Sequence, residues 1–356
     1  MNRLSKQRIE WDIGTAYDFF ISLWVLHEPE HMGLRGSWAA GVRSRLPGPE
    51  RELLQRVVPL VWPLAWVYTL PRPKDVAVLL AALRQQSGME RLLTQLPNVP
   101  PPIVEMWRDV AARGSWNEVD QKVMVTEMQT GDWRKQPTAT VRKAAADFLD
   151  LWTDPVGTAD GLLSAYECYN EVFFAEEEGR IRPALEMALG RGQQMAQAIT
   201  RWDALLEELS QGVRIMKDWE AKTLTLIPSY WGTPLALMAD CGQERMLFLY
   251  GARPADQSLI PGDLVPDALY QALKALADPT RLRILRYLTG EPLTPAELAR
   301  RLRLRPPTVI HHLDALRLAR LVIVTLDAEG KRYTIRQDAV AAVCELLDQF
   351  LVGGED

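Results

Sequence analysis

Apolar residues recur at helical spacing in three short segments of the last quarter of the chain. In the first segment, Leu282, Leu285 and Leu288 follow one another at intervals of three residues. This spacing predicts a helix with one apolar face. The helix follows Pro279, and Gly290 stops it.

A second helix is predicted to begin at Pro295, because Thr294 and Glu297 have the spacing of a capping box. In a capping box the threonine oxygen accepts a hydrogen bond from the first helical turn, and the glutamate accepts one from the threonine N–H. Leu298 and Leu302 then lie on the inner face of this helix.

The third segment has apolar and polar residues on opposite faces. Its buried face is predicted to consist of Val309, Leu313 and Leu316. Pro307 suits a first helical position because it has no N–H to leave unpaired. Thr308 and His311 lie on the opposite face, with His312 at its edge. These side chains are therefore predicted to face outward.

After residue 318 the pattern changes to alternating apolar and polar residues, which is typical of strands. Turn residues 327–330 separate two such runs, and the second run begins with Lys331 and Arg332. Three helices followed by a basic hairpin form a winged helix-turn-helix, a module whose third helix enters the major groove of DNA. The hairpin is the wing of this module, and it commonly lies along the phosphates or in the minor groove, where Lys331 and Arg332 add charge but little sequence information.

Charge supports double-stranded DNA as the partner of this segment. The chain has a net charge of -5, but residues 274–336 contain thirteen Lys and Arg against six Asp and Glu, a local charge of +7. Positive charge is thus concentrated where phosphate would be bound. The predicted DNA-contacting residues are Arg303, Arg305, Pro306, Thr308, His311, His312, Lys331 and Arg332.

Residues 272–351 resemble the ArsR-type winged-helix repressors of bacteria, through the segments LADPTRLRILRYL and PPTVIHHLDALRLARLV. The resemblance implies a homodimer that binds an operator of two-fold symmetry. It also implies that the helix before Pro279 and a final helix over residues 338–351 form the dimer interface. The final helix has an apolar stripe that a small domain could hardly bury alone. Its residues are Ala339, Val343, Leu346, Leu347 and Phe350.

The chain departs from the family pattern at two positions of this segment. Ile310 replaces a serine usually found beside the histidine, which puts the family's base preference in doubt. In the family, the third helix is the recognition helix, which enters the DNA groove and here begins near Pro307. Arg320 replaces the glycine that normally follows it. A non-glycine residue in the left-handed conformation costs on the order of 1 kcal/mol, so the substitution is tolerable.

Metal sensing at the family's usual positions is not expected. Residues 297–304 contain no cysteine, and the final helix has Cys344 but no histidine. Soft metals need several thiolate or imidazole ligands. No metal or cofactor is therefore predicted.

The remaining sequence predicts a mainly α protein with a small β element before the winged helix-turn-helix. Residues 1–221 are predicted to form a helical domain, with helices including 15–26, 49–68, 74–86, 140–152 and 159–178. Strand-like runs in residues 222–254 are predicted to form a small antiparallel sheet that completes this domain. Residues 255–266 are interpreted as a linker, and residues 267–356 as the DNA-binding domain.

Composition predicts a cytoplasmic globular protein. The chain is 47% hydrophobic, which is enough for two or three domain cores. The three cysteines, Cys168, Cys241 and Cys344, are widely separated, as is typical of a reducing compartment. No leader peptide is expected. The longest apolar run, 57–70, contains two prolines, so no membrane-spanning helix is expected either.

All twelve tryptophans lie before Gly232. Trp62 and Trp66 are four apart and are interpreted as one face of a helix that packs into a core. The alternative is that some of these rings line a pocket for an unknown apolar or aromatic small-molecule effector. The sequence does not locate such a pocket.

His27, Glu28 and His31 satisfy the zinc-protease pattern H-E-x-x-H. That chemistry needs both histidines on one intact helix, and Pro29 disrupts it. A helix end and a turn are therefore predicted here, and the chain is not expected to be an enzyme. Two alternatives stay open: a metal-dependent or small-molecule enzyme with an accessory winged helix, and a winged-helix protein-interaction module.

Overall fold

The computed structural model describes residues 8–96, 99–130, 136–216, 221–242 and 244–352. The fold is mainly helical with small sheets and ends in a winged helix-turn-helix, as predicted. Part of the segment on which the leader-peptide prediction rests lies outside the described residues, as do Trp133 and Trp219.

The helices follow the chain in this order: α1 (Thr15–His27), α2 (Gly36–Arg43), α3 (Gly48–Val57), α4 (Leu64–Thr69), α5 (Val76–Gln85), α6 (Gly88–Thr94), α7 (Pro101–Arg113), α8 (Glu118–Thr130), α9 (Thr138–Thr153), α10 (Pro155–Tyr169), α11 (Ala175–Ala198), α12 (Trp202–Ser210), α13 (Asp267–Leu276), α14 (Pro279–Leu288), α15 (Pro295–Leu302), α16 (Pro306–Leu318) and α17 (Ala339–Val352). The strands are β1 (Arg8–Trp11), β2 (Val213–Ile215), β3 (Thr223–Ser229), β4 (Leu237–Asp240), β5 (Arg245–Gly251), β6 (Val322–Asp327) and β7 (Gly330–Ile335).

The prediction of one continuous helix over residues 49–68 is wrong. The structure breaks it into α3, a 3₁₀ turn at Val58–Leu60 and α4. Pro59 and Pro63 explain the interruptions, because proline cannot donate the helical hydrogen bond. Trp62 therefore precedes α4 and does not share its helix face with Trp66, which is nevertheless buried.

Contacts along the chain divide it into two compact units. One contains Met1–Ile13, Glu28–Ala39 and Arg180–Asp356, and the other contains Gly14–His27 and Ala40–Gly179. The first unit thus holds the described sheets and the winged helix.

The second unit has an aromatic core. Phe19 on α1 lies edge-on to Tyr166, Tyr169 and Phe174, with ring centroids 5.9, 5.2 and 5.2 Å away. Edge-to-face packing of this kind adds to the free energy gained from burying the rings. Elsewhere in the same unit, Trp107 stacks on Trp152 at 4.5 Å, and both side chains are buried.

The larger sheet has the strand order β1-β3-β5-β4. The strand-like runs of residues 222–254 are confirmed as strands, but the antiparallel arrangement predicted for them is wrong. β1 pairs with β3, and β3 with β5, in parallel, and only β4 and β5 are antiparallel. Leu224, Leu226 and Ile227 of β3 are all buried, because a central parallel strand is covered on both faces.

The winged helix-turn-helix consists of α13–α17 with β6 and β7. Its core combines apolar residues of the four helices α13–α16 with residues of both strands. Two residues connect β6 to β7, whose register runs from Val322 opposite Ile335 to Asp327 opposite Gly330. β2 adds a third strand, parallel to β6. Between β5 and α13, residues 252–266 form no helix or strand.

Among the described residues, none of the helices combines the length and the apolar character that crossing a bilayer requires.

Candidate nucleic-acid interface

The predicted capping box at the start of α15 is confirmed. The Glu297 N–H donates to Thr294 Oγ1 at 3.3 Å, and the Thr294 N–H donates to Glu297 Oε2 at 2.8 Å. The Thr294 hydroxyl also donates to Glu297 Oε2, and the two hydrogen bonds that this carboxylate accepts from Thr294 hold the pKa of Glu297 below its usual value. Both bonds form within four consecutive residues, so α15 begins at Pro295 for local reasons.

The turn between α15 and α16 places basic residues at the start of the recognition helix. Arg303 adopts a left-handed conformation with φ of 58°, and Arg305 is the N-cap residue of α16. Both side chains are exposed. The helix begins at Pro306, one residue earlier than Pro307, and both prolines occupy positions where no N–H is needed.

The recognition helix α16 has the two faces that the sequence predicts. Val309, Leu313 and Leu316 are fully buried in the winged-helix core. Pro306, Thr308, Ile310 and His311 are exposed on the other side. The buried face fixes the helix on its own domain, so the exposed side chains are available to a partner.

His312 is held more tightly against its own domain than His311. Its side chain is only 14% exposed, and its Nδ1 lies 3.9 Å from the carboxylate of Asp278. Burial lowers the pKa of His312, although Asp278 acts in the opposite direction. Asp278 also accepts a hydrogen bond from the Arg281 N–H at 2.9 Å and so caps α14. His312 therefore lies at the edge of the exposed face.

Ile310 is an apolar residue on the exposed side of α16, and 45% of its surface is accessible. The sequence singled it out as a departure from the family pattern but did not place it among the contact residues. In a major groove, an aliphatic side chain at such a position can contact the methyl group of thymine. Its exposure beside two polar residues is the signal that could have identified it.

The two cations of the wing have different surroundings. Lys331 is exposed near the hairpin turn. Arg332 lies among carboxylates, at 3.0 Å from Glu329, 3.5 Å from Asp327 and 3.9 Å from Glu297. These acidic groups, led by the hydrogen bond to Glu329, raise the pKa of Arg332. They also offset its charge, and Glu297 connects the wing to α15.

Arg320, which follows the end of the recognition helix, has the left-handed backbone conformation that was predicted. Arg320 has φ of 53°, and its N–H donates to the Arg317 carbonyl at 2.9 Å. Its Nη1 donates to Gln211 Oε1 at 2.8 Å, close to β2. The sequence did not predict this contact or the third strand, because both join segments more than a hundred residues apart.

The H-E-x-x-H pattern does not lie on one helix. α1 ends at His27, and His31 belongs to a 3₁₀ helix at Pro29–Met32. Burial lowers the pKa of His27 to about 4. In the part of the chain that the structure describes, no group of three or more His, Cys, Asp or Glu side chains could hold a metal ion.

The winged helix-turn-helix is similar in sequence to known proteins. A family of helix-turn-helix domains matches residues 276–325. The HTH-type transcriptional regulator CmtR of Mycobacterium tuberculosis (strain ATCC 25618 / H37Rv) is 38% identical over 90 residues, which are 25% of this chain and 76% of the relative. The HTH-type transcriptional regulator Rv2034 of the same strain is 39% identical over 85 residues, 24% of this chain and 77% of the relative.

Among solved structures, the crystal structure of NolR from Sinorhizobium fredii is 30% identical in sequence over the matched region. The match covers 23% of this chain and 82% of the NolR chain, with a TM-score of 0.20. The relatives are matched over about three quarters of their own length. The chain therefore belongs to the HTH-type transcriptional regulators and contains their helix-turn-helix domain in its last quarter.

Proposed function

We propose that the chain is a cytoplasmic, homodimeric repressor of ArsR type that binds a promoter operator of two-fold symmetry. The observation that carries the proposal is the recognition helix. Its inner residues are fully buried, while Thr308 and His311 are exposed within a segment of charge +7. Repression follows from occupation of the promoter.

In this proposal, phosphate contacts and base contacts come from different residues. Arg303, Arg305 and Lys331 contact phosphates and supply most of the affinity. Thr308 and His311 contact base edges and supply sequence preference, because only base edges carry the sequence. Arg332 contributes less to phosphate binding than its sequence position suggests, since three carboxylates already surround it.

The homodimer is supported by apolar surface on α13 and α17. α17 has fourteen residues, and Ala339 is the only one of them that is buried. Exposed apolar residues on the two helices are Tyr270, Leu273, Val340, Phe350, Leu351 and Val352. Exposed apolar side chains on two helices that pack together are typical of a protein interface. In the proposed dimer, α13 and α17 of two subunits cover one another.

The region before the winged helix is proposed to sense a small-molecule effector or to assist assembly. Residues 267–356 then act as the DNA-binding domain. An effector releases the operator only if it binds the DNA-incompetent arrangement of the dimer more tightly than the competent one.

Lys331→Gln is expected to weaken binding to all DNA sequences alike. Loss of one phosphate contact lowers the slope of log affinity against log salt by about 0.9. Arg332→Gln is measured in parallel and should lower the slope by less than about 0.9, because carboxylates already offset the charge of Arg332. The measurement is fluorescence anisotropy with a fragment selected from random DNA, at several salt concentrations. Unchanged slopes in both variants would contradict the proposed position of the wing.

His311→Ala is expected to relax sequence preference at one position of each half-site. A well-placed side chain contributes roughly 1–3 kcal/mol of discrimination between bases. The experiment compares the affinities of fragments with single base changes. His312→Ala is the control and should have a smaller effect, since its side chain is mostly buried. If His311→Ala keeps every base preference of the natural chain, α16 is not docked as proposed.

A further inference from the structure

A cavity lies beside the end of the recognition helix, within the unit that contains the winged helix. Its lining comes from the end of α16, the first turns of α13, four residues after β5 (Arg253, Pro254, Ala255 and Gln257) and a few side chains that include Met32 and Thr233. The cavity is small, about 30 Å³, and partly open to solvent, so it suits a ligand of a few non-hydrogen atoms.

A buried guanidinium with unused hydrogen-bonding capacity lines this cavity. Arg253 is 7% exposed, and its Nη2 donates to the Thr233 carbonyl at 3.0 Å. Its Nη1 has no hydrogen-bond partner among the described residues, although Asp267 Oδ2 lies 3.4 Å away. That oxygen already accepts a hydrogen bond from the Leu259 N–H at 2.6 Å. A buried charged donor without an acceptor is costly, so the site favours an additional acceptor.

A second guanidinium lines the same cavity. The Nε of Arg320 is buried and lacks a hydrogen-bond partner among the described residues. Burial, together with the charges of Arg253 and Arg336, lowers the pKa of Arg320 to about 10. Among the described residues that line the cavity, Asp267 is the only acidic one. Two guanidiniums and one carboxylate thus line the cavity, so positive charge is in excess.

We propose that this cavity binds a small organic anion, with its charged oxygens on Nη1 of Arg253 and Nε of Arg320. Guanidinium N–H groups are well suited to this, because they form charge-assisted hydrogen bonds with carboxylate and phosphate oxygens. Met32, Pro254 and Leu318 supply an apolar part of the lining, against which the uncharged part of the ligand packs.

The position of the cavity couples ligand binding to DNA binding. Ala319 is the C-cap residue of the recognition helix, and Gln271 belongs to α13, which the proposed dimer interface contains. A bound anion changes the balance between DNA-competent and DNA-incompetent dimers if it prefers one of them. This regulatory consequence rests on the proposed function, whereas anion binding itself does not.

The test uses the full-length protein with acetate and methyl phosphate as probes, because the cavity is too small for an aromatic ring, and chloride at equal ionic strength as the reference. Calorimetry is expected to show saturable binding of at least one probe. Hydrogen exchange should show protection of amides in residues 253–257 and 267–271. Tighter binding of acetate assigns a carboxylate ligand, and tighter binding of methyl phosphate assigns a phosphate ligand.

Two variants test the site by different means. Arg320→Gln removes one guanidinium, and Ala255→Leu narrows the cavity from an exposed loop position without removing a charge. Both are expected to weaken probe binding, Arg320→Gln by at least about tenfold, which is the effect of one lost hydrogen bond to a charged group. Arg84→Gln makes the same charge change on α5, in the other unit, and should leave probe binding unchanged.

Absence of saturable binding beyond the chloride reference overturns the inference, and so does equal probe affinity in the natural chain and both site variants. Operator binding without a probe is measured in parallel. Intact operator binding without anion binding rejects only this inference. Intact anion binding without operator binding rejects only the proposed function.

Discussion

The double variant Leu273→Asp/Val340→Asp is expected to be monomeric and to bind operator DNA at least about 100-fold more weakly than the natural chain. Both side chains are more than two-fifths exposed on α13 and α17. In a two-fold interface each introduced carboxylate occurs twice, and burying an unpaired charge costs several kcal/mol. A monomer reaches only one half-site at a time, so its operator affinity falls steeply.

Sedimentation analysis and operator titration check this result. Val119→Asp on α8 is the matched control, because Val119 is exposed in the other unit and lies outside the proposed interface. An aspartate at position 340 lies in the first turn of α17, where negative charge stabilises a helix. Unfolding of α17 is therefore not an expected cause. A double variant that stays dimeric, with the affinity of the control, contradicts the proposed interface.

Leu313→Ala is expected to destabilise the winged helix by about 2–5 kcal/mol. Leu313 is fully buried at the centre of the core that holds α16. The loss combines the lost burial of the side chain with the cavity that remains. Tryptophan fluorescence does not report on this domain directly, since every tryptophan precedes Gly232. Hydrogen exchange of amides in α14–α16 is the appropriate measurement.

Leu282→Ala is the control for this prediction, because Leu282 lies on α14 and is about half exposed. It should reduce protection by less than about 1 kcal/mol, as expected for an exposed position. Equal loss of protection in the two variants would mean that Leu313 does not anchor the recognition helix.

Local patterns in the winged helix predicted most of its structure. The Thr294 and Glu297 capping box forms within one helical turn, so its start signal is readable from four consecutive residues. The buried face of α16 follows from helical periodicity alone. The left-handed conformation of Arg320 was expected from the family resemblance, because a glycine normally stands at this helix end. Each of these features depends on neighbours in sequence.

Features that join distant segments were not predicted. β1 pairs with β3 through Arg8 opposite Thr223, and β2 pairs with β6 through Val213 opposite Val324. Strands of four and three residues have too little pattern to identify their partners. The parallel pairing of β3 and β5 was likewise missed, because β4 lies between them in sequence but at the edge of the sheet.

Within the candidate interface, the sequence named the residues but not their surroundings. The carboxylates that surround Arg332 come partly from α15, and the one beside His312 comes from the start of α14. Both side chains are therefore less available to DNA than their positions in the sequence suggest. The proposed anion cavity, too, forms only where residues 253–257 meet α13 and α16.

The sequence by itself determined a winged helix-turn-helix in the last quarter of the chain, its buried and exposed helix faces and a mainly helical remainder. Helical periodicity, caps and turns depend on residues within one or two turns of each other, so they are legible in order along the chain. Only the tertiary structure decided the strand partners, the environment of each cation and the cavity beside Arg253, because long-range packing sets the burial and charge around a side chain.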